Sequence, residues 1–266
     1  MLKKLSMSVL VVTLGIFVTG YAQEKDPKIQ EEVDALKQKL GAGWIIQWNK
    51  EGTALNHIEK DMEFALKRKS KIPSLTSKAD LQGSRSDIAM NFLRRNTRLF
   101  ELPTDLHDLH VEQVRYTVSI YQTHNGLPVV SVGNRPNRGL DVMVEPETGI
   151  ELVSSSYLPH INISTTPLLS EDQVIDIAKE DTLKNHMVAY DKWKGYHPVM
   201  IDDHENPFSV QPKPKLIVYV TDQDHPILAY TLDMPVIAKD AYIHMRHVID
   251  ANNGAILSAG DPTIHD

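Results

Sequence analysis

Cysteine is absent from all 266 residues, which excludes disulfide bonds and thiolate metal sites. Stability must therefore come from packing alone. Basic residues are also outnumbered, with 28 lysines and arginines against 35 aspartates and glutamates and a formal charge of −7. Because phosphate binding needs a basic surface, nucleic acid is not expected as a partner.

Long apolar runs are equally scarce. The run from Met7 to Val18 is shorter than the roughly 20 residues that span a bilayer. It follows Lys3 and Lys4 and precedes Gly20-Tyr21-Ala22, which is the order of a secretory signal peptide with a small-residue cleavage site. We therefore predict a signal peptide over residues 1–22, a secreted or periplasmic mature chain, and no stable membrane anchor after cleavage.

Familiar catalytic motifs are missing too. The sequence contains no HExxH, no G-x-S-x-G, no glycine-rich phosphate loop and no Walker motif. His204-Glu205 begins like a zinc-protease motif, but Pro207 and Phe208 follow and the second histidine is missing. We therefore predict that the chain is not an enzyme by itself and has no catalytic residues.

Two histidine pairs are the remaining candidates for a metal site. His107-x-x-His110 lies in a loop context after a proline turn. His244-x-x-His247 falls in a predicted strand, where residues three apart point to opposite faces. Both pairs are therefore interpreted as ordinary surface or half-buried histidines, and neither a metal ion nor another cofactor is expected.

The central stretch from Val111 to Leu152 predicts a meander of antiparallel strands. Val114, Tyr116, Val118 and Ile120 alternate with polar residues, the period of a strand with one buried face. Asn125-Gly126 then predicts a tight hairpin turn, because both residues accept a positive φ. Further strands are predicted from Leu127, over Gly139–Val144 and over Ile150–Val153.

Helices and strands occur in the same order twice along the chain. The predicted helices are 26–40, 84–99 and 168–182, and the other predicted strands are 44–48, 54–58, 216–220, 227–234, 241–250 and 255–258. A helix followed by antiparallel strands is an α+β pattern, not an alternating βαβ chain. The sequence therefore predicts two units, each a helix packed on an antiparallel sheet.

Short motifs in both halves resemble a known family. Leu99-Phe100-Glu101-Leu102, Val114-Arg115-Tyr116 and Asn125-Gly126-Leu127-Pro128-Val129 resemble the LFGL, VRYQQ and NGLPV segments of the fungalysin/thermolysin propeptide (FTP) domain. Leu216-Ile217-Val218-Tyr219 and Val248 to Gly254 resemble strands of a PepSY domain. The resemblance departs at Glu101, where the family has glycine, and at Thr117-Val118, where it has a glutamine pair.

The resemblance implies an FTP-like domain over residues 23–165 and a PepSY-like domain over residues 166–266, with cystatin-like and PepSY-like folds. In this family the two domains form the pro-region of thermolysin-like (M4) zinc metalloproteases. The implied partner is the catalytic domain of such a protease, in cis or in trans. The implied function is that of a non-covalent inhibitor and folding chaperone.

Three interpretations remain open at this stage. The chain is a free-standing pro-region-like protein, the pro-part of a longer zymogen, or an exported binding module whose partner is not a protease. Inhibition would need an extended segment in the active-site cleft, and the C-terminal stretch is the candidate. Its predicted partner-binding residues are Ser258, Asp261, Thr263, Ile264, His265 and Asp266.

Overall fold

The computed structural model describes residues 26–68, 72–77, 80–131, 137–186, 212–238 and 241–260. The predicted signal peptide lies outside these residues. The four α-helices described are α1 (Pro27–Leu40), α2 (Met62–Arg68), α3 (Arg85–Arg95) and α4 (Glu171–Asp181). A 3-10 turn (Thr97–Phe100) follows α3 and a π-helical turn (Thr182–His186) follows α4. None of these helices is long and apolar enough to cross a membrane.

Eleven strands lie between and after these helices in the described part of the chain. They are β1 (Trp44–Trp48), β2 (Leu55–Lys60), β3 (Leu109–Val114), β4 (Thr117–His124), β5 (Leu127–Ser131), β6 (Gly139–Glu145), β7 (Gly149–Ser155), β8 (Lys215–Val220), β9 (Pro226–Ala238), β10 (Ala241–Asp250) and β11 (Ile256–Gly260).

All eleven strands belong to one mixed sheet, so the predicted fold class of two separate helix-on-sheet units is wrong. The order is β1-β2-β7-β6-β4-β5-β8-β9-β10-β11, with β3 on the other side of β4. The two halves meet at β5. This strand pairs antiparallel with β4 through Thr123 and His124, and parallel with β8 through Val129 to Ser131. Periodicity marks β5 as a strand but carries no information about a partner almost ninety residues away.

The N-terminal core lies between the helices and one face of β1–β4, β6 and β7. Ser84 caps helix α3, and its side chain forms a capping box with Asp87. The sequence favours Ser86 as the N-cap, and that prediction is wrong. Helix α3 contributes four buried residues that pack against Val118, Val142 and Val153 of the sheet: Ile88, Ala89, Phe92 and Leu93. Trp44 and Trp48 lie four residues apart on β1, which predicts a shared, packed face, and both pack against the same core.

The C-terminal half has a smaller core under α4. Ser170 and Gln173, whose spacing in the sequence predicts a capping box, form one at the start of this helix. Val174, Ile175 and Ala178 pack against alternate residues of β9 and β10, among them Leu232 and Ile249. The strands are buried on their other face as well, where Ile217, Tyr219, Ala229 and Val248 form a separate cluster.

The segment joining the halves is packed, although its prolines and serines predict a plain linker. The Gln122 side chain is 2% exposed and holds the backbone of Leu158 with two hydrogen bonds, of 2.7 and 2.9 Å. Leu158, Ile161 and Ile163 then cover the buried Val129 of β5 and Val218 of β8. The segment therefore seals the junction that β5 makes.

The predicted strand through Tyr116 is also wrong in one respect. Arg115 and Tyr116 form a tight turn between β3 and β4, with Arg115 at φ 56°, and Tyr116 is 56% exposed. The turn lacks the Asn-Gly signature that marks the next hairpin. The alternation of apolar residues therefore continues across this turn, and no typical turn residue marks the turn in the sequence.

Substitution of Gly139 tests the close approach of β6 to β4. Gly139 has φ 147°, and a Cβ atom there would lie 1.9 Å from the Ile120 carbonyl oxygen. We expect Gly139→Ala to lower the free energy of unfolding by about 3 kcal/mol or more, measured by urea denaturation. Gly126→Ala is the control, since φ is also positive there but the space is open, and its cost should be about 1 kcal/mol. Equal costs would contradict the packing argument.

Candidate partner-binding surfaces

Of the six predicted partner-binding residues, only Ser258 lies in the described part of the chain. Ser258 is half-buried in β11 and faces Val248 of β10 in the antiparallel ladder. Asp261, Thr263, Ile264, His265 and Asp266 lie outside the described residues. Their role in binding therefore stays a prediction.

Strand β11 forms one end of the sheet. It pairs with β10 on one side, and no other described strand pairs with its second edge. Edge strands present backbone donors and acceptors that a partner's extended segment can pair with. The edge of β11 thus offers backbone hydrogen bonds next in sequence to the predicted C-terminal binding segment.

The larger candidate surface is the face of β1–β4, β6 and β7 opposite the helices, here called the open face. Directly paired residues in antiparallel strands share a face, so the register defines its rows. One row is Gln47, His57, Ser154, Asp141, Ser119 and Glu112, and the next is Ile45, Glu59, Leu152, Met143 and Thr117. All of these side chains are exposed or half-buried.

The open face combines exposed apolar side chains with hydrogen-bonding groups. Met143 and Ile45 are 36% and 39% exposed, which is high for large apolar side chains. Six strands about 4.8 Å apart give a width of about 25 Å, the scale of a standard protein–protein interface. The alternation of polar and apolar residues in β4 and β6 already indicates which of their side chains share this face. The order of residues across neighbouring strands follows only from the register of strand pairing.

The open face carries four carboxylates, those of Glu59, Glu112, Asp141 and Glu145. It also carries His57, whose Nε2 atom lies 3.0 Å from Glu59. Across β1–β4, β6 and β7 the sequence contains a single lysine or arginine, Lys60. Lys60 pairs with Trp44 in the register and so faces the core, where it bonds to Glu151 at 2.6 Å.

Local contacts hold the acidic side chains in place. The Tyr121 hydroxyl donates to Glu112 at 2.7 Å, and Ser119 donates to Asp141 at 2.8 Å. The hydrogen bond to Glu112, burial and the nearby carboxylates raise the pKa of Tyr121. Tyr121 therefore stays a protonated donor, and Glu112 stays an oriented acceptor.

A cleft of about 380 Å³ lies between the loop before β3, the β4–β5 hairpin and the connecting segment. The Tyr157 hydroxyl donates to Asp108 there at 2.6 Å. Burial and the Asp108 carboxylate raise the pKa of Tyr157 far above its usual value. His107, His124 and His160 also line the cleft. No cluster of three metal-ligating side chains occurs among the residues described.

The two histidine pairs do not form a common site. His107 is exposed in a loop and contacts Asp105 at 2.6 Å, which raises the pKa of His107, whereas His110 lies on β3. The side chain of His244 lies outside the described part. His247 is fully buried, with its Nε2 atom 3.1 Å from Asp181 at the end of α4 and 3.4 Å from Thr182.

The buried pair of His247 and Asp181 was missed at the sequence level. The interpretation of His247 as a surface or half-buried residue is wrong, because β10 turns it toward α4 between Met245 and Ile249. A polar residue in an otherwise apolar row is the available signal, but it does not identify the partner. The pair joins the end of α4 to β10 and so fixes the helix on the sheet.

Removal of Asp181 tests that joint. The side chains of Asp181 and His247 are 8% and 0% exposed, so truncating one leaves a buried polar group without its partner. We expect Asp181→Ala to lower the free energy of unfolding by about 3 kcal/mol in urea denaturation. Asp176→Ala, at an exposed position on the same helix, should stay within about 0.5 kcal/mol of the unmodified chain. A similar small effect at both positions would show that the pair is not a structural joint.

Comparison with known proteins gives no family assignment. No protein-family profile matches the chain, and no curated protein matches it. Among solved structures, the Bacillus megaterium YpeB C-terminal domain aligns with 90% of this chain and 99% of its own, at 12% identity and a TM-score of 0.35. Similarity at that level carries no statement about activity. The resemblance to FTP and PepSY domains therefore rests on the sequence motifs.

Proposed function

We propose that the chain is an exported pro-region-like protein that binds a thermolysin-like zinc metalloprotease as a non-covalent inhibitor and folding chaperone. The motif resemblance supports the choice of partner. The open face supports the mode of action, because it is wide, partly apolar and uncovered by the described helices. Binding to a native-like state of the protease would stabilise that state by mass action, which is the basis of assisted folding.

Two alternatives differ from this proposal. In one the chain is part of a longer protein, and in the other its partner is not a protease. The chain as the pro-part of a longer zymogen would act by the same contacts in cis. An exported module with a non-protease partner would use the same open face, whose geometry does not depend on the family resemblance. The following experiment separates a protease partner from any other.

Inhibition by the open face is tested with a matched pair of methionines. The purified exported chain should slow peptide hydrolysis by a thermolysin-like protease. Met143→Lys, at the centre of the open face, should raise the inhibition constant about 10-fold, because a charged side chain replaces an apolar contact. Met62→Lys is the control, since Met62 is 60% exposed but lies on α2.

Two results would count against this proposal. If a saturating concentration of the chain changes neither peptide hydrolysis nor the refolding yield of the denatured protease, the protease is not the partner. Equal effects of Met143→Lys and Met62→Lys would keep the protease but remove the open face as its contact.

The C-terminal segment is tested by a separate truncation. Because β11 ends at Gly260, a chain that stops there keeps every described strand. If the segment enters the active-site cleft, we expect this truncation to weaken inhibition about 10-fold or more while refolding assistance persists. Unchanged inhibition would refute a role for Asp261 to Asp266.

A further inference from the structure

Two Asn-Gly sequences occur in the chain, Asn125-Gly126 and Asn253-Gly254. Asparagine is a chemically labile residue, and a following glycine has no side chain to hinder its backbone nitrogen from reaching the amide carbon. We infer that Asn125 is a site of spontaneous deamidation in the folded chain and that the fold protects Asn253. The reaction requires no partner, so the site is independent of the proposed function.

Deamidation converts a side-chain amide and a water molecule into a carboxylate and ammonia, and so adds a negative charge. The backbone nitrogen of Gly126 loses its proton to a base from solvent and attacks Cγ of Asn125. The bond between Cγ and Nδ2 then breaks, and Nδ2 takes up protons from solvent and leaves as ammonia. Water opens the resulting five-membered imide at either carbonyl carbon, which gives an aspartyl or an isoaspartyl residue.

The Asn125-Gly126 turn leaves the reacting groups accessible. Both residues are exposed at the tip of the hairpin between β4 and β5. Among the described residues, the side chain of Asn125 has one hydrogen-bond contact, 3.3 Å from its Nδ2 to Nε2 of His124. Within the same part of the chain, no carbonyl oxygen accepts a hydrogen bond from Gly126 N–H. A Cβ atom at Gly126 would have no neighbour within 4 Å, so surrounding atoms do not restrict the turn.

The Asn253-Gly254 turn holds the same groups in place. Nδ2 of Asn253 donates to Oδ2 of Asp250 at 2.9 Å, and Oδ1 of Asn253 accepts from Ala255 N–H at 2.8 Å. Gly254 N–H donates to the Asp250 carbonyl oxygen at 3.0 Å. Asn253 is exposed like Asn125, so exposure does not distinguish the two sites. The three hydrogen bonds do, because attack on Cγ of Asn253 would have to break them.

Conversion of Asn125 changes the hairpin that leads into β5. The two-residue turn sets the pairing of His124 with Leu127. An isoaspartyl residue adds one backbone atom to this turn, which no longer fits that pairing. Since β5 joins the two halves of the sheet through its ladder with β8, the isoaspartyl product weakens that junction. An aspartyl product leaves the backbone unchanged and adds only a charge.

The test compares both asparagines in one sample of the exported chain. The folded chain is incubated in mildly alkaline buffer and digested, and mass spectrometry of the peptides gives the rate of amide loss at each site. Asn125 should convert about 10-fold or more faster than Asn253, because fewer hydrogen bonds oppose the reaction. In guanidinium chloride the two rates should agree within about 3-fold, because unfolding removes the difference between the turns.

Two variants test the nucleophile and the consequence for the fold. Gly126→Ala places a methyl group beside the attacking nitrogen, in space that accommodates it, and should slow conversion of Asn125 about 10-fold while Asn253 is unaffected. Asn125→Asp reproduces the charge without the extra backbone atom. Its urea midpoint should match that of the unmodified chain, whereas the isoaspartyl chain purified after incubation should have a lower midpoint.

Equal rates at the two asparagines in the folded chain would overturn the inference, as would faster conversion of Asn253. An unchanged rate in Gly126→Ala would contradict attack by the Gly126 nitrogen. An isoaspartyl chain as stable as Asn125→Asp would contradict the effect on the β5 junction.

Discussion

The architecture depends on strand β5, which pairs with both halves of the chain. Its first residues continue the β4 hairpin, and its last three residues form a parallel ladder with β8. Val129 and Val218 are fully buried at that ladder, under the connecting segment that Gln122 holds. Because Pro128 cannot donate a ladder hydrogen bond, it fits only where β5 passes from one partner to the next. The sheet is therefore continuous, and the open face belongs to the same sheet as the C-terminal edge strand.

Local elements followed from local patterns. The capping box at Ser170, the Asn125-Gly126 turn and most strand positions are confirmed, since each depends on residues within a few positions of one another. The errors lie where pairing is long-range or unsignalled. The β5–β8 ladder joins residues far apart in sequence, and the Arg115-Tyr116 turn lacks the usual turn residues.

The open face, too, could be predicted from the sequence only in part. Alternation in β4 and β6 already separated Ser119, Asp141 and Met143 from the core residues between them. Only the register brings them together with Glu112 and Glu59 on other strands, and that register is set by tertiary pairing. The burial of His247 against Asp181 is equally a product of tertiary structure, because α4 covers that position of β10.

The central claim is that β5 makes the two halves one cooperative sheet. Native-state hydrogen exchange of the Val129→Asp variant tests it most directly, because this substitution places a charge at a position with 0% exposure. The account predicts that amides of β6 and β7 and amides of β9 and β10 lose protection together. Loss confined to one half, with full protection retained in the other, would contradict it.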